Sequence, residues 1–187
     1  MYFVLANRVG NCDKGLTETQ TRDFPMSYTT NIAKVYKQAT QAEIDHGLTW
    51  YQDAQDACQD MADTYELPLG IVIGVVAALS PTNRWERNLI DASNMLQTFT
   101  SGGYVEETAP CTYKAMRDKA WLILSNGVAQ DIDAIATTLK GPKITDFFLC
   151  IMGQDVCVID GHAWCIANAD RRTMQEVPSI GKKLRKE

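Results

Sequence analysis

The sequence predicts an all-α fold, and three observations predict it. Apolar residues recur at steps of three and four in several separate segments, as they do on the buried face of a helix. Loop signals such as Ser101-Gly102-Gly103 and Ser125-Asn126-Gly127 separate those segments. The chain has 187 residues, of which 45% are hydrophobic, and this is enough for one sizeable core. We therefore expect a single helical domain over residues 28–187, preceded by an irregular lead-in at residues 1–27.

The segment around residues 51–65 shows the helical pattern most clearly. Its apolar side consists of Tyr51, Ala54, Cys58, Met61 and Tyr65. Its opposite side repeats the same steps with Asp53, Asp56, Asp60 and Asp63. Solvation explains such an acidic face better than metal binding does. Similar apolar spacing predicts further helices in residues 85–99, 113–124, 132–139, 144–151 and 163–167.

Local signals then delimit the segment that carries most of the chemistry. Gly141 and Pro142 break the preceding helix, and proline suits the first turn of the next one. Gly153 is the expected end of that next helix. The apolar, β-branched run 156–159 predicts a buried, extended link, and Asp160 then stands at the N-cap of the last helix.

Lys143 and Asp160 are the candidate catalytic residues of this segment. An amine beside a carboxylate is the minimum for Schiff-base or oxocarbenium chemistry. Each residue also has a simpler interpretation, because Asp160 would cap a helix in any case and Lys143 would be an ordinary solvent-exposed lysine. On the residues alone, both interpretations stay open.

The order and spacing of these features resemble the helix-hairpin-helix DNA glycosylase superfamily, the group that includes endonuclease III and 8-oxoguanine DNA glycosylase. Leu139-Lys140-Gly141-Pro142-Lys143 resembles a shortened form of the family's hairpin. Val158-Ile159-Asp160-Gly161-His162 resembles its catalytic aspartate segment. Val75-Val76-Ala77-Ala78-Leu79-Ser80-Pro81-Thr82-Asn83 resembles the apolar helix that leads into its wedge loop. The resemblance covers residues 69–170.

The resemblance implies a helix-hairpin-helix glycosylase-like domain that acts on double-stranded DNA with one base flipped out. It implies that Lys143 is the nucleophile and Asp160 the catalytic carboxylate. A modified or damaged base would be excised by cleavage of its N-glycosidic bond, with or without a lyase step. The residues expected to contact DNA are Thr82, Asn83, Arg84, Lys140, Gly141 and His162. Four aromatic residues are expected either to line the base pocket or to belong to the core, namely Trp50, Tyr51, Trp85 and Trp164.

The cysteines predict neither a metal site nor a cofactor. No pair has C-x-x-C spacing, and the four-cysteine iron–sulfur loop of some family members has no counterpart. Four cysteines lie in apolar patterns and are expected to be reduced core thiols, namely Cys58, Cys150, Cys157 and Cys165. Reduced thiols favour a cytoplasmic protein, or the host cytoplasm if a phage encodes the chain. No apolar run reaches the roughly 18–20 residues of a membrane span. The protein is expected to be a monomer.

The charge is unevenly distributed, which bears on DNA binding. The formal net charge is −5, whereas residues 140–187 carry 8 basic and 6 acidic side chains. A basic face on an acidic body binds a phosphate backbone with a steep salt dependence. The alternative is that the basic tail is simply a solvated chain end.

Two other functions remain open. One is a phage-type enzyme that hypermodifies DNA bases on the same fold, and the other is a non-catalytic DNA-binding module. The module predicts that replacing Lys143 or Asp160 changes nothing. The predicted helix after Pro178 stops almost at once, so the chain is expected to be either a minimal version of the fold or truncated.

Overall fold

The computed structural model describes residues 27–127 and 131–181 and shows eight helices in them. The helices are α1 (Tyr28–Tyr36), α2 (Gln41–Tyr65), α3 (Leu69–Leu79), α4 (Trp85–Thr100), α5 (Lys114–Ser125), α6 (Ile132–Leu139), α7 (Pro142–Ile151) and α8 (Gly161–Asn168). A single turn of 3-10 helix covers Val105–Glu107. This part of the chain contains no β-strand, and the all-α prediction is confirmed.

The chain divides into two compact units. Unit 1 consists of Met1–Trp50 and Ile159–Glu187, and unit 2 consists of Tyr51–Val158. The boundary at Trp50 falls inside α2. The single domain expected over residues 28–187 stays a prediction. The expected lead-in lies outside the described residues apart from Ser27, as does the basic tail after residue 181.

Helix α3 is the centre of unit 2. Its eleven residues carry no charged or polar side chain, and residues 71–79 are all buried. A helix that is apolar all round must be covered on every side, and α3 packs against α4, α5, α6 and α7. Gly74 allows a close approach of α6, because a Cβ atom there would lie 2.9 Å from the Cγ2 atom of Ile135.

Unit 1 is held together by α1 and α8, which pack against each other. Ser27 caps α1 by accepting a hydrogen bond from the backbone N–H of Thr30 at 3.3 Å. The buried side chain of Asn31 donates from Nδ2 to the carbonyl of Ala167 at 2.7 Å. This bond satisfies a carbonyl near the end of α8, where the last turn has no intrahelical partner.

The helices predicted between residues 51 and 167 are confirmed, whereas residues 178–181, the described start of the helix predicted after Pro178, are not helical. In α2 the side chains of Ala54 and Cys58 are buried, and the four aspartates of its acidic face are exposed. In α7 the predicted inward side is buried, with Gly153 at φ +77° immediately beyond the C-cap residue Met152. These elements follow from periodicity and capping, both of which are local in sequence.

The prediction of a buried link was wrong for two of its residues. Val158 is buried, but Cys157 is exposed and Val156 is 39% exposed. Neighbouring residues of an extended segment point to opposite sides, so Cys157 and Val158 do not both face the core. Val156 adjoins the exposed turn 153–155. Of the predicted core thiols, Cys58 and Cys150 are buried, whereas Cys165 is only half-buried.

Candidate active site

Lys143 lies in the first turn of α7, directly after the turn that connects α6 to it. Gly141 is the N-cap of α7, and Pro142 occupies the first helical position as the sequence predicted. Leu139, which ends α6, is fully buried, whereas Lys140 and Lys143 are both exposed. The turn thus presents two lysines at the surface of unit 2.

The turn is strained at Lys140 rather than at the glycine. Lys140 has φ +59° and ψ −33°, and the N–H of Gly141 donates to the carbonyl of Leu139 at 2.7 Å. A three-residue turn with a positive central φ is the rarer and more strained form of the γ-turn. Gly141 itself has φ −80°, a backbone conformation that any residue adopts. The tight turn was correctly predicted, and the strain within it falls on Lys140.

Lys119 of α5 supports this turn and was missed by the sequence analysis. Its ammonium donates to the carbonyl of Leu139, at the C-terminal end of α6 where carbonyl groups lack intrahelical partners. Burial lowers the pKa of Lys119, and the nearby charge of Lys140 adds to that effect. Twenty residues separate Lys119 from Leu139, so no local pattern indicates this contact.

An aromatic cluster adjoins Lys143 on α7. Phe147, four residues after Lys143, lies on the same side of the helix. Its ring meets Trp85 edge-on with centroids 6.5 Å apart, and it meets Tyr51 at 6.4 Å. Phe147 therefore brings together two of the four aromatic residues predicted for the pocket, although its helical spacing predicted for Phe147 itself only a place on the buried side of α7.

The buried thiols of Cys58 and Cys150 are not alternative nucleophiles. Burial raises the pKa of Cys150 to about 11, although a hydrogen bond with Tyr51 acts to lower it. Burial also raises the pKa of Cys58 to about 12. Since only the thiolate is nucleophilic, both cysteines are inert near neutral pH.

The predicted wedge loop is a strained turn at the start of α4. The N–H of Asn83 donates to the carbonyl of Ser80 at 3.2 Å, with Pro81 second in the turn and Thr82 third at φ +61°. This pattern is typical of a type II turn, whose third position favours glycine. A β-branched residue there is a genuine outlier, and such strain concentrates at functional sites. Thr82 and Arg84 are both exposed.

Asp91 anchors this loop and was also missed. Its side chain is 1% exposed and accepts from the Nδ2 of Asn83 at 2.9 Å and from the Nε of Arg87 at 2.8 Å. It also accepts from the backbone N–H of Cys111 at 2.7 Å. The hydroxyl of Thr112 adds a second tie, donating to the carbonyl of Pro81 at 2.8 Å. Two of these contacts, Asn83 to Asp91 and Thr112 to Pro81, involve the loop itself, and the other two fix Asp91 in place.

Asp160 caps α8 in unit 1, as predicted. One carboxylate oxygen, Oδ1, accepts from the backbone N–H of His162 at 3.0 Å and of Ala163 at 3.1 Å. His162 is exposed on the first turn of the helix. Trp164 belongs to the same helix, and the guanidinium of Arg172 lies 5.1 Å from its ring centroid.

The predicted residues are therefore distributed over both units. Unit 2 holds Lys143, Tyr51, Trp85 and the residues of the wedge loop and the turn, whereas unit 1 holds Trp50, Asp160, His162 and Trp164. Trp50 is buried, with 8% of its surface exposed. The pairing of Lys143 with Asp160 stays a prediction.

Among the described residues there is no group of three or more histidine, cysteine, aspartate or glutamate side chains that could hold a metal ion. No described helix is by itself long and apolar enough to cross a membrane. Helices α2 and α3 taken together have the length and composition of a membrane span, but they are bent by 118° at their junction.

Comparison with known proteins shows one family. Residues 16–183 match the model of the Family of unknown function (DUF7178). The chain belongs to this family. No curated protein and no solved structure matches it. The function of the DUF7178 chain therefore has to be argued from its own residues.

Proposed function

We propose that this DUF7178 protein is a DNA glycosylase that flips a modified or damaged base from double-stranded DNA and cleaves its N-glycosidic bond. Lys143 would be the nucleophile and Asp160 the carboxylate that stabilises the transition state. The observation that carries the proposal is the position of Lys143 one helical turn before Phe147, whose ring contacts Trp85 and Tyr51.

The aromatic cluster supplies what a flipped base requires. Extrusion of a nucleotide costs a few kcal/mol in lost stacking, and aromatic side chains in the pocket offset that cost. Each stacked base gains about 1–3 kcal/mol from such a contact. Trp85 and Tyr51 remain partly accessible, which a stacking surface needs. The primary amine on the same side of α7 would then approach the sugar of the extruded nucleotide.

The wedge loop supplies the other half of base flipping. Trp85 is the first residue of α4, so the loop that carries Thr82, Asn83 and Arg84 leads directly into the aromatic cluster. A side chain held rigidly at the tip of such a loop can occupy the space that the base leaves. The strain at Thr82 and the hydrogen bonds that join Asn83 to Asp91 and Thr112 to Pro81 are consistent with that task.

The chemistry requires one amine and one carboxylate. As the C1′–N bond breaks, the base leaves with the bonding electron pair and takes a proton from solvent, and positive charge develops on the sugar. Asp160 would stabilise that charge. The neutral amine of Lys143 would attack C1′ and lose a proton, and opening of the C1′–O4′ bond would give a Schiff base. Water hydrolyses it, or β-elimination breaks the strand.

A base-release assay tests this function. Duplex oligonucleotides, each with one modified base, are incubated with the full chain, and abasic sites are measured by alkaline strand cleavage. We expect release from at least one duplex, loss of release in Lys143→Gln, and normal release in Lys114→Gln. Lys114 is a suitable control because it is exposed and paired with Asp118 at 2.9 Å, on a different helix. The absence of release from every duplex would contradict the proposal.

A non-catalytic DNA-binding module is the second candidate, and one observation favours it. The Oδ1 atom of Asp160 already accepts two backbone hydrogen bonds, which gives this residue a structural role independent of catalysis. A protein of this kind would bind duplex DNA without releasing a base. Asp160→Asn would then bind DNA with the same affinity as the wild type. A base-hypermodification enzyme differs from both, because it changes the mass of a base in the intact strand.

A further inference from the structure

A polar cleft of about 600 Å³ runs along one side of α4 in unit 2. Residues at helical spacing on α4 form one wall, among them Arg87, Asp91, Asn94 and Gln97, and the segment 107–110 faces them. The volume lies within the range of small-ligand sites. None of these residues was among the predicted site residues, but Asp91 connects the cleft to the wedge loop.

Arg87 is held at one end of the cleft by the buried carboxylate of Asp91. The bond joins the Nε of Arg87 to the Oδ1 of Asp91 at 2.8 Å, and the arginine side chain is 52% exposed. A guanidinium has five N–H donors in one plane, and this bond uses only the one on Nε. The four donors on its terminal nitrogens have no hydrogen-bond partner within residues 27–127 and 131–181. An oriented and half-exposed arginine fork is therefore available at the cleft.

The negative charge of Asp91 does not prevent an anion from binding at this end of the cleft. Arg87, Asn83 and the N–H of Cys111 all donate to its carboxylate, and only 1% of the side chain is exposed. Glu107 also lines the cleft, but at its far end. A Cβ atom built on Gly103 would lie 2.9 Å from the Oε2 of Glu107 and would also be close to Thr98. Glu107 is therefore near Thr98. Thr98 is eleven residues beyond Arg87, or roughly 16 Å along the helix axis.

The geometry points to a phosphate-binding site. We propose that Arg87, oriented by Asp91, binds one phosphate group of a nucleic-acid strand that enters the α4 cleft, an inference that rests on the proposed function. The planar fork of arginine matches phosphate geometry. Asp91 also bonds Asn83, so the phosphate would be fixed relative to the wedge loop. The side-chain amides of Asn94 and Gln97 are exposed and supply further donors along the cleft.

Binding of oligonucleotides at several salt concentrations tests the site. In fluorescence anisotropy with the full chain, Arg87→Gln should weaken binding at least about tenfold and reduce the slope of log K against log salt by about 1. Arg87→Lys should retain the slope but recover only part of the affinity, because an ammonium lacks the fork. Lys114→Gln should match the wild type. It is a matched control because Lys114 pairs with Asp118 at the same i,i+4 spacing, while Asp118 is 43% exposed.

A second measurement separates this site from the proposed function. The N–H signal of the Arg87 Nε, assigned by its loss in Arg87→Lys, is followed by nitrogen-15 NMR while inorganic pyrophosphate is added. A shift of that signal without any oligonucleotide binding would support a site for free phosphates and count against a DNA enzyme. Base release and oligonucleotide affinity that are both unchanged in Arg87→Gln would overturn the site and leave the glycosylase proposal standing. If neither oligonucleotide nor pyrophosphate binds, the site is refuted.

Discussion

The buried carboxylate of Asp91 accepts a hydrogen bond from the side-chain amide of Asn83 at 2.9 Å. The two residues lie eight positions apart, one in the second turn of α4 and the other in the loop before it. Through this bond the conformation of an exposed loop depends on a residue that is itself 3% exposed. The loop is consequently built into the packing of unit 2 rather than added to its surface.

Replacing Asp91 should release the loop. Asp91→Ala leaves the donors of Asn83, Arg87 and Cys111 without their acceptor, and we expect a loss of about 2–3 kcal/mol in the free energy of unfolding. Asp118→Ala is the control. The side chain of Asp118 is 43% exposed, so solvent screens its ion pair with Lys114, and its removal should change stability little. Urea denaturation of both variants measures the difference. Equal stability of the two would show that the contacts of Asp91 do not hold the loop.

The strain at Thr82 leads to an unusual expectation for Thr82→Gly. Glycine adopts a positive φ without a steric penalty, so we expect this variant to be more stable by about 0.5–1 kcal/mol. It should nevertheless release base more slowly, because it has no side chain to fill the space of a flipped base. Ala169→Gly provides the comparison, since Ala169 also has a positive φ, of +50°, but lies outside the proposed site.

Thermal melting and the base-release rate should therefore separate these two variants. We expect Ala169→Gly to gain stability and keep its rate. If Thr82→Gly keeps the wild-type rate as well, Thr82 is not the wedge.

Two glycines of α3 test the packing of the core. Gly74→Ala would bring a Cβ atom within 2.9 Å of Ile135 and 3.3 Å of Ile123, and we expect a loss of about 1–3 kcal/mol from overpacking. At Gly70 the nearest atom is 3.8 Å away, an ordinary contact. Gly70→Ala should therefore stabilise the helix by up to about 1 kcal/mol. Melting temperatures that move in the same direction for both variants would contradict this account of the helix contacts.

The sequence predicted the helices well because their signals are local. The steps of three and four in α2, the proline at the start of α7 and the cap at Asp160 each depend on residues within one or two turns. Phe147 illustrates the limit of such signals. Its spacing correctly placed it on the buried side of α7, but nothing in that spacing indicated that Trp85 and Tyr51 would meet it.

The contacts that were missed join residues distant in sequence. Lys119 reaches Leu139 twenty positions away, and Asp91 reaches Cys111 across the same separation. Asp91 also fits the polar pattern of an ordinary surface helix, so its burial could not be anticipated from periodicity. The positive φ of Lys140 was not predicted, because glycine is the residue that most often adopts this conformation.

Asp160→Asn separates a structural role from a catalytic one. Asparagine caps a helix nearly as well as aspartate, so the melting temperature should stay close to that of the wild type. It lacks the negative charge required opposite an oxocarbenium ion, and we expect the single-turnover rate to fall at least about a hundredfold, or roughly 2.7 kcal/mol in transition-state stabilisation. Wild-type turnover in this variant would leave Asp160 with the capping role alone.

Covalent trapping of the Schiff base tests the central claim most directly. Borohydride is added during the reaction with a duplex that releases its base, so that any imine between protein and DNA is reduced to a stable amine. Peptide mapping by mass spectrometry then identifies the attached residue. We predict an adduct on Lys143 in the wild type and in Lys114→Gln, and none in Lys143→Gln, with the fold of that variant intact by circular dichroism. An adduct on another lysine, or one that persists in Lys143→Gln, would contradict the assignment of Lys143 as the nucleophile.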